Sequence, residues 1–418
     1  MKFKISAIAA AVAAATLSAA AYADAPFEFH GYMRAGVGTS DKGGSQTCFQ
    51  LAGAYSKYRL GNECENYGEL QFDLNAWKSN TSDAYAKYHT RLAFANGQAA
   101  DYDKNTLDTT WVENWVEFGN IGSGALATAK LWAGKRFYKR EDVHINDFYF
   151  WNDSGPGAGI EDVVFGPTTW SYAYRQNTNS SDSGQKINTH DLRTDVDIGE
   201  MGKLEFGVAY QATDYTDASK AATAGSKDDG FNFTGEHFIP VLGGFNKFVV
   251  QYGQGTGSNL VLNSPSFNPG KTSNGDSKQS WRVLDTLVWS YGATDGQAVV
   301  IYQDQKDNYK WFSFGVRPVY HFNDLYGITA EYGFDQVKPD NANMANGSIE
   351  TTRLQKFTVA GLVTSGKGFW NRPQLRLFYT YAVWNDAARD TTWGNVGGAA
   401  YKDATSGSTY GAQAEIWW

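Results

Sequence analysis

In KREDVHINDFYFWND, residues 139–153, Arg140, Asp142 and His144 fall at every second position, and Phe148, Tyr149, Phe150 and Trp151 follow. Alternate residues of an extended strand share one face, so a guanidinium, a carboxylate and an imidazole would line one surface with large rings close behind. Such groups form ion pairs, exchange hydrogen bonds with hydroxyls, or move protons. Five further aromatics, Tyr32, Tyr67, Phe245, Trp370 and Trp417, also fall among polar alternate positions, with Arg34, Glu69 and Arg376 near them. Large rings on a wetted face are unfavourable unless they pack on something. Either loops cover them, or they form a stacking surface for a ligand with apolar faces and hydroxyl edges, which describes a sugar. Each charge taken alone is better read as part of a solvated wall.

The elements that would hold these residues are strands. In the terminal YGAQAEIWW, Gln413, Glu415 and Trp417 share one face, and Ala412, Ala414, Ile416 and Trp418 the other. PQLRLFYTYAVW sets Leu375, Leu377, Tyr379, Tyr381 and Val383 against Gln374, Arg376, Phe378 and Thr380. FNKFVVQY sets Phe248, Val250 and Tyr252 against Lys247 and Gln251, and ENYGELQFDLNA sets Leu70, Phe72 and Leu74 against Glu69, Gln71 and Asp73. FEFHGYMRAGV places Glu28, His30, Tyr32 and Arg34 together. By this parity the five aromatics sit on the inward, polar side of their strands. An apolar outside and a polar inside suit a barrel in a membrane.

Composition agrees, because 25 Tyr, 25 Phe, 14 Trp and 45 Gly against 9 Pro suit many strands joined by turns and girdled by aromatics. Lys2 and Lys4, the apolar run Ile5–Leu17 and the small-residue site Ala21-Tyr22-Ala23 read as a secretory signal peptide over residues 1–23. After residue 23 no apolar run reaches the ~18 residues of a spanning helix, so a membrane-spanning mature chain must be a barrel. Removing the two leader lysines deepens the formal charge from −8 to −10, which argues against nucleic-acid partners. The two cysteines, Cys48 and Cys64, favour one disulfide in an exported chain. The histidines, at 30, 89, 144, 190, 237 and 321, show no metal-ligand spacing, so neither metal nor cofactor is expected. TDASKAATAGSKDDG and GQGTGSNLVLNSPSFNPGKTSNGDSK read as long outer loops. One domain, residues 24–418, is the simplest organisation.

The chain resembles the maltoporins, the maltodextrin-specific porins of Gram-negative outer membranes. The segments that carry the resemblance are FHGYMRAGVG, CFQ with SKYRLGNECE, LWAGKRFYKREDVHINDFYFW with SGPGAG, GFNKFVVQY, RPQLRLF and AEIWW. The resemblance implies an all-β transmembrane antiparallel barrel of about 18 strands with an inward-folded constriction loop, assembled as a homotrimer in outer-membrane lipid. It implies passive diffusion of maltose and maltodextrins rather than catalysis. Along the channel it implies an aromatic slide of Tyr32, Tyr67, Phe245, Trp370 and Trp417, and a polar track of Arg34, Arg59, Glu69, Arg140, Asp142 and Asp147. Tyr149 matches the constriction tyrosine. The family's further outer-loop aromatic has no unique counterpart among Phe94, Tyr102 and Trp111. One track arginine has no match in VENWVEFG, and Asn152 replaces a usual aspartate. Two alternatives are a related porin for sucrose or β-glucosides and a weakly selective porin. A third, an exported carbohydrate enzyme with Asp142 and Asp147 as acid and base, has nothing that places both around one bond.

Overall fold

The computed structural model describes residues 26–98, 108–179, 184–222, 229–260 and 277–418. The leader read at residues 1–23 and Tyr102 lie outside the described residues. The first strands are β1 (Phe27–Ser40), β2 (Glu65–Lys78), β3 (Tyr85–Gly97), β4 (Asp108–Gly119) and β5 (Lys130–Arg136). After β6 (Arg140–Val143) and β7 (Phe148–Asn152) come β8 (Gly155–Phe165), β9 (Thr168–Thr178), β10 (Gln185–Asp197), β11 (Lys203–Tyr215), β12 (Gly230–Val241) and β13 (Gly244–Gln254). The rest are β14 (Gln279–Tyr291), β15 (Thr294–Gln305), β16 (Tyr309–His321), β17 (Tyr326–Pro339), β18 (Thr352–Thr364), β19 (Gln374–Trp384) and β20 (Ser406–Trp417).

All but β6 and β7 join one 18-stranded antiparallel sheet in chain order, and β20 pairs back on β1 with Tyr32 opposite Trp417. The sheet is therefore closed and leaves no free edge, the condition for strands to cross lipid. No described helix is long and apolar enough to cross a membrane. On β19 the alternation is strict: Leu375, Leu377 and Tyr379 are exposed, while Gln374, Arg376 and Thr380 are buried. Gln251, Arg282, Gln303 and Thr358 are fully buried on the same inner side of neighbouring strands. Apolar outside and polar inside inverts a water-soluble protein, and the wall over β13–β19 does so except at the inner positions on which the lumen segments pack. Short turns, such as 242–243 and 292–293, lie at the end where β1 begins and β20 finishes. At the other end are the segments 41–64 and 385–405 and the described parts of the two tracts read as loops, a short helix Asp217–Ala222 and a helical turn Gly255–Ser258.

The apolar core lies inside the barrel, where Phe49, Leu51 and Tyr58 from segment 41–64 meet Val143, Ile145, Phe148, Phe150 and Trp151 from the hairpin β6–β7. They pack on Val249, Leu284, Val299, Ile301 and Trp311 of the inner wall. Gly315 and Gly333, paired across β16 and β17, open the wall for the Tyr58 ring; a Cβ at either would collide with it. Cys48 and Cys64 are joined by a disulfide, which closes residues 48–64 into a loop within segment 41–64.

Residues 139–153 depart from the single strand that their alternation suggests. β6 stops at Val143, His144–Asn146 form a helical turn, and Asp147 takes a left-handed φ of 56° before β7 returns. Asp is among the few non-glycine residues that tolerate this conformation, so it is where the chain can reverse. Arg140 and Asp142 keep a common face, but His144 leaves it. Trp370 also differs from the parity reading: it stands in the turn 365–373 between β18 and β19, not on a strand.

Candidate functional site

The hairpin β6–β7 belongs to a separate two-stranded sheet and projects into the lumen. Inward side chains of the wall hold it by its backbone: Gln251 Nε2 donates to Phe150 O at 2.8 Å, Arg317 Nη2 donates to Ile145 O at 3.2 Å, and Ile145 N donates to Gln297 Oε1 at 3.1 Å. Lys247 ion-pairs with Glu141 at 2.5 Å, and Lys139 bridges Glu141 and Glu205 at 3.1 and 2.7 Å. From the other side Arg59 N donates to Ile145 O at 2.9 Å, and Lys57 Nζ meets Asp147 at 3.1 Å. A narrowing element braced on two flanks keeps a fixed aperture.

Across the lumen, inward positions of β2, β1 and β20 set Tyr67, Tyr32 and Trp417 in a row. The centroids of Tyr67 and Tyr32 are 6.0 Å apart, and Tyr32 stacks on Trp417 at 6.4 Å and 18°. The His144 ring touches Trp417 at 5.9 Å and Trp370 at 5.3 Å, so the row continues to the turn 365–373. Trp370 is exposed, whereas the Arg372 guanidinium lies 4.1 Å over the Trp417 ring. Phe245 is not brought to this row: it sits on β13 and stacks at 5.6 Å on Phe238 of β12. Phe238 went unnoticed in the sequence, although its even parity with Asn232, Thr234 and Glu236 marks it as inward.

Most charges beside the row are committed to one another. Glu415, 2% exposed, accepts from the Tyr32 hydroxyl at 2.9 Å, Arg59 at 3.2 Å, Arg372 Nε at 2.8 Å and Arg376 at 2.6 Å. Arg59 also pairs with Glu63 at 2.6 Å, and Arg34 pairs with Glu63 and Glu65. Glu69 accepts from the Tyr67 hydroxyl at 2.5 Å and from Arg91 at 2.9 Å. Arg34, Arg59 and Glu69 are all buried. The hairpin's own groups are more open: Asp142 is exposed, and the half-buried Arg140 guanidinium lies between Phe137 and Tyr149 at 4.1 and 4.2 Å.

Burial outweighs the opposing pull of Arg140 and raises the Tyr149 hydroxyl to about 12, so it stays protonated and can donate. Burial, reinforced by Arg59, holds the His144 imidazole well below its usual value and therefore neutral. Burial alone would raise the Asp147 carboxyl, but Arg59 and Lys57 outweigh it and keep it ionised.

VENWVEFG supplies no arginine, but its Glu113 pairs with Arg91 of β3, which also pairs with Glu69, each at 2.9 Å. Alternation along YAKYHTRLA puts Lys87, His89 and Arg91 on one face and could have revealed it. Asn152 Oδ1 accepts from Ser154 Oγ at 2.5 Å, while the adjacent Asp153 forms a fully buried pair with Arg175 at 2.5 Å. Phe94 packs its ring over Gly68, and Trp111, 55% exposed, donates to Thr90 Oγ1 at 2.7 Å. Both side chains face away from this lumen.

Among solved structures, OccK2 (OpdF) of Pseudomonas aeruginosa is 9% identical, with a TM-score of 0.52 over 94% of this chain and 97% of that one. The outer membrane protein opdK of the same organism is also 9% identical, with a TM-score of 0.51 over 94% of this chain and 99% of that one. These likenesses show a common barrel fold. The sequence profile of the LamB porins matches residues 27–418. With a closed barrel, an apolar exterior and a braced polar lumen, the chain belongs to the LamB porin family and is a multi-pass channel protein of the Gram-negative outer membrane.

Proposed function

We propose that this porin mediates facilitated diffusion of maltose and maltodextrins, with no catalytic step. The observation that carries the proposal is the unbroken ring path Tyr67–Tyr32–Trp417–His144–Trp370 on one wall of a braced constriction. Glucose rings stack their apolar faces on such a path, and their hydroxyls exchange hydrogen bonds with Arg140, Asp142 and Tyr149 on the hairpin, while the paired Arg34, Arg59, Glu69 and Asp147 hold the path in place. Phe245 with Phe238 would form a separate aromatic station. Affinity must stay modest for a sugar to leave as well as enter, and millimolar binding corresponds to about 4 kcal/mol. The resemblance to maltoporins also supports a homotrimer, which chemical cross-linking in native membranes would test.

Liposome-swelling rates for a ladder of maltodextrins beside sucrose test the specificity. Maltodextrins should enter faster than their size alone allows, and sucrose should lag. Rates that fall with size identically for all sugars would reject a specific channel.

A further inference from the structure

We propose that the lumen wall at the short-turn mouth carries a binding site for a transition-metal dication such as Zn²⁺, formed by Glu28 and His30 of β1 and Asp73 of β2. The histidine positions show no ligand spacing along the chain, but sheet pairing supplies it. Glu28 and His30 share a face two residues apart, and Asp73 is opposite Glu28 across the β1–β2 ladder. One ligand atom from each of the three lies within 4.8 Å of the other two. Zinc bonds of ~2.0–2.2 Å at a tetrahedral angle put ligand atoms roughly 3.4 Å apart, so the set must draw in by up to about 1.4 Å, and the side chains of Glu28 and His30 are open enough to swing in.

Asp73 is the fixed member. It is 3% exposed, and its carboxylate accepts from His89 Nδ1 at 2.8 Å and from Gln71 Nε2 at 2.7 Å. His89 is itself stacked on Trp115 at 3.9 Å and 12°, so the chain from Trp115 to the carboxylate is rigid. Outer partners of this kind orient a metal ligand and raise its affinity. An imidazole with two carboxylates suits zinc, nickel, cobalt or copper over magnesium or calcium, which prefer oxygen alone. Water would complete the coordination.

One cation opposes the site. Lys87 Nζ lies 3.1 Å from each Glu28 oxygen and must yield when a dication arrives. Lys87 is thus a built-in competitor that keeps affinity moderate. Because Glu28, His30 and Tyr32 succeed one another on the same face of β1, a bound dication would sit at the foot of the ring path and place positive charge in the exit.

The test uses the full-length channel in planar bilayers, titrating Zn²⁺ against Mg²⁺ while recording conductance and cation-to-anion selectivity. Zinc should lower conductance saturably and shift selectivity toward anions, reversibly with chelator, at concentrations where magnesium does neither. His30→Gln and Asp73→Asn should weaken the zinc response roughly tenfold or more, the scale of losing an orienting partner or a ligand. Lys87→Gln should strengthen it, and His237→Gln, on the outer face, should leave it unchanged. Heat-modifiable gel mobility checks that each variant forms a barrel. Equal responses to zinc and magnesium overturn the site, as does wild-type zinc sensitivity in folded His30→Gln and Asp73→Asn, or a weaker response in Lys87→Gln.

Discussion

Replacing Trp370 or Trp417 by alanine separates a sugar-stacking role from a packing role, because the two rings are held differently. Trp370 is exposed in a turn, and its aromatic neighbours among the described residues are Phe369, at 4.8 Å, and His144, at 5.3 Å. Its loss should remove stacking surface and little else. Stacking of a nucleobase on one aromatic, the analogue for a sugar face, is worth about 1–3 kcal/mol, or roughly 5- to 150-fold in affinity. Trp417 is stacked on Tyr32 and covered on one side by Arg372, next to the Glu415 cluster. Trp417→Ala should weaken sugar binding by a similar factor and also lose cation–π and packing energy. That second loss should fall short of the ~3–5 kcal/mol of a fully buried ring, because Trp417 is only half-buried. Maltotriose block of single-channel current gives the affinity, and thermal unfolding in detergent gives the stability. The expected pattern is reduced block in both variants, destabilisation in Trp417→Ala alone, and open-channel conductance near wild type in both. Wild-type half-saturation of the block in both variants would refute the stacking argument.

The double variant Tyr149→Ala with Arg140→Asn removes the stacked pair at the hairpin; it should raise ion conductance and speed sucrose entry relative to maltose. Unchanged conductance and permeation ratio would show that these residues do not form the constriction. Cys48→Ser should cost about 3 kcal/mol in the chain-entropy account of a loop of about 15 residues, measured as a lower unfolding midpoint than wild type under non-reducing conditions. Burial would raise the Glu141 carboxyl, but Lys139 and Lys247 outweigh it and hold it at about 2. Its folded-state value is depressed, so its contribution to hairpin docking is complete above its ordinary value near 4.5 and fades as pH falls toward 2. Open-channel current noise should rise over that acid window in wild type, while Glu141→Gln should show the raised noise at pH 7; a quiet Glu141→Gln channel would count against the ion pair as a brace.

Alternation was enough to read the wall, because lipid outside and polar lumen inside impose opposite chemistry on successive residues. β19 shows the consequence residue by residue: every position assigned outward by parity is exposed and every inward one is buried. The same rule failed for 139–153, since the reversal there uses Asp147 in a left-handed conformation and no glycine or proline interrupts the pattern. It failed for Trp370 because β18 ends at Thr364, and a turn residue has no strand parity. Cross-strand neighbours were the least legible feature. Arg91 is 22 residues from Glu69 and Glu415 is 383 from Tyr32, so neither contact leaves a local signature.

Those long-range contacts change how the lumen's charge should be understood. Read linearly, Arg34, Arg59 and Glu69 are a row of free hydrogen-bonding groups along the path of a sugar. In the fold they are buried and paired, and Glu415 gathers Arg59, Arg372, Arg376 and Tyr32 around one carboxylate. Removing a single member of such a cluster would leave a charge buried without its partner, which typically costs about 3–5 kcal/mol, more than most ligand contacts are worth. Their first physical effect is therefore to hold the aromatic row and segment 41–64 in place. On the proposed function, the groups that exchange partners with a passing hydroxyl are the more open ones on the hairpin, Arg140, Asp142 and Tyr149. The charges that hold the row are thus the paired, buried ones, while the more open charges of the same lumen stand on the hairpin.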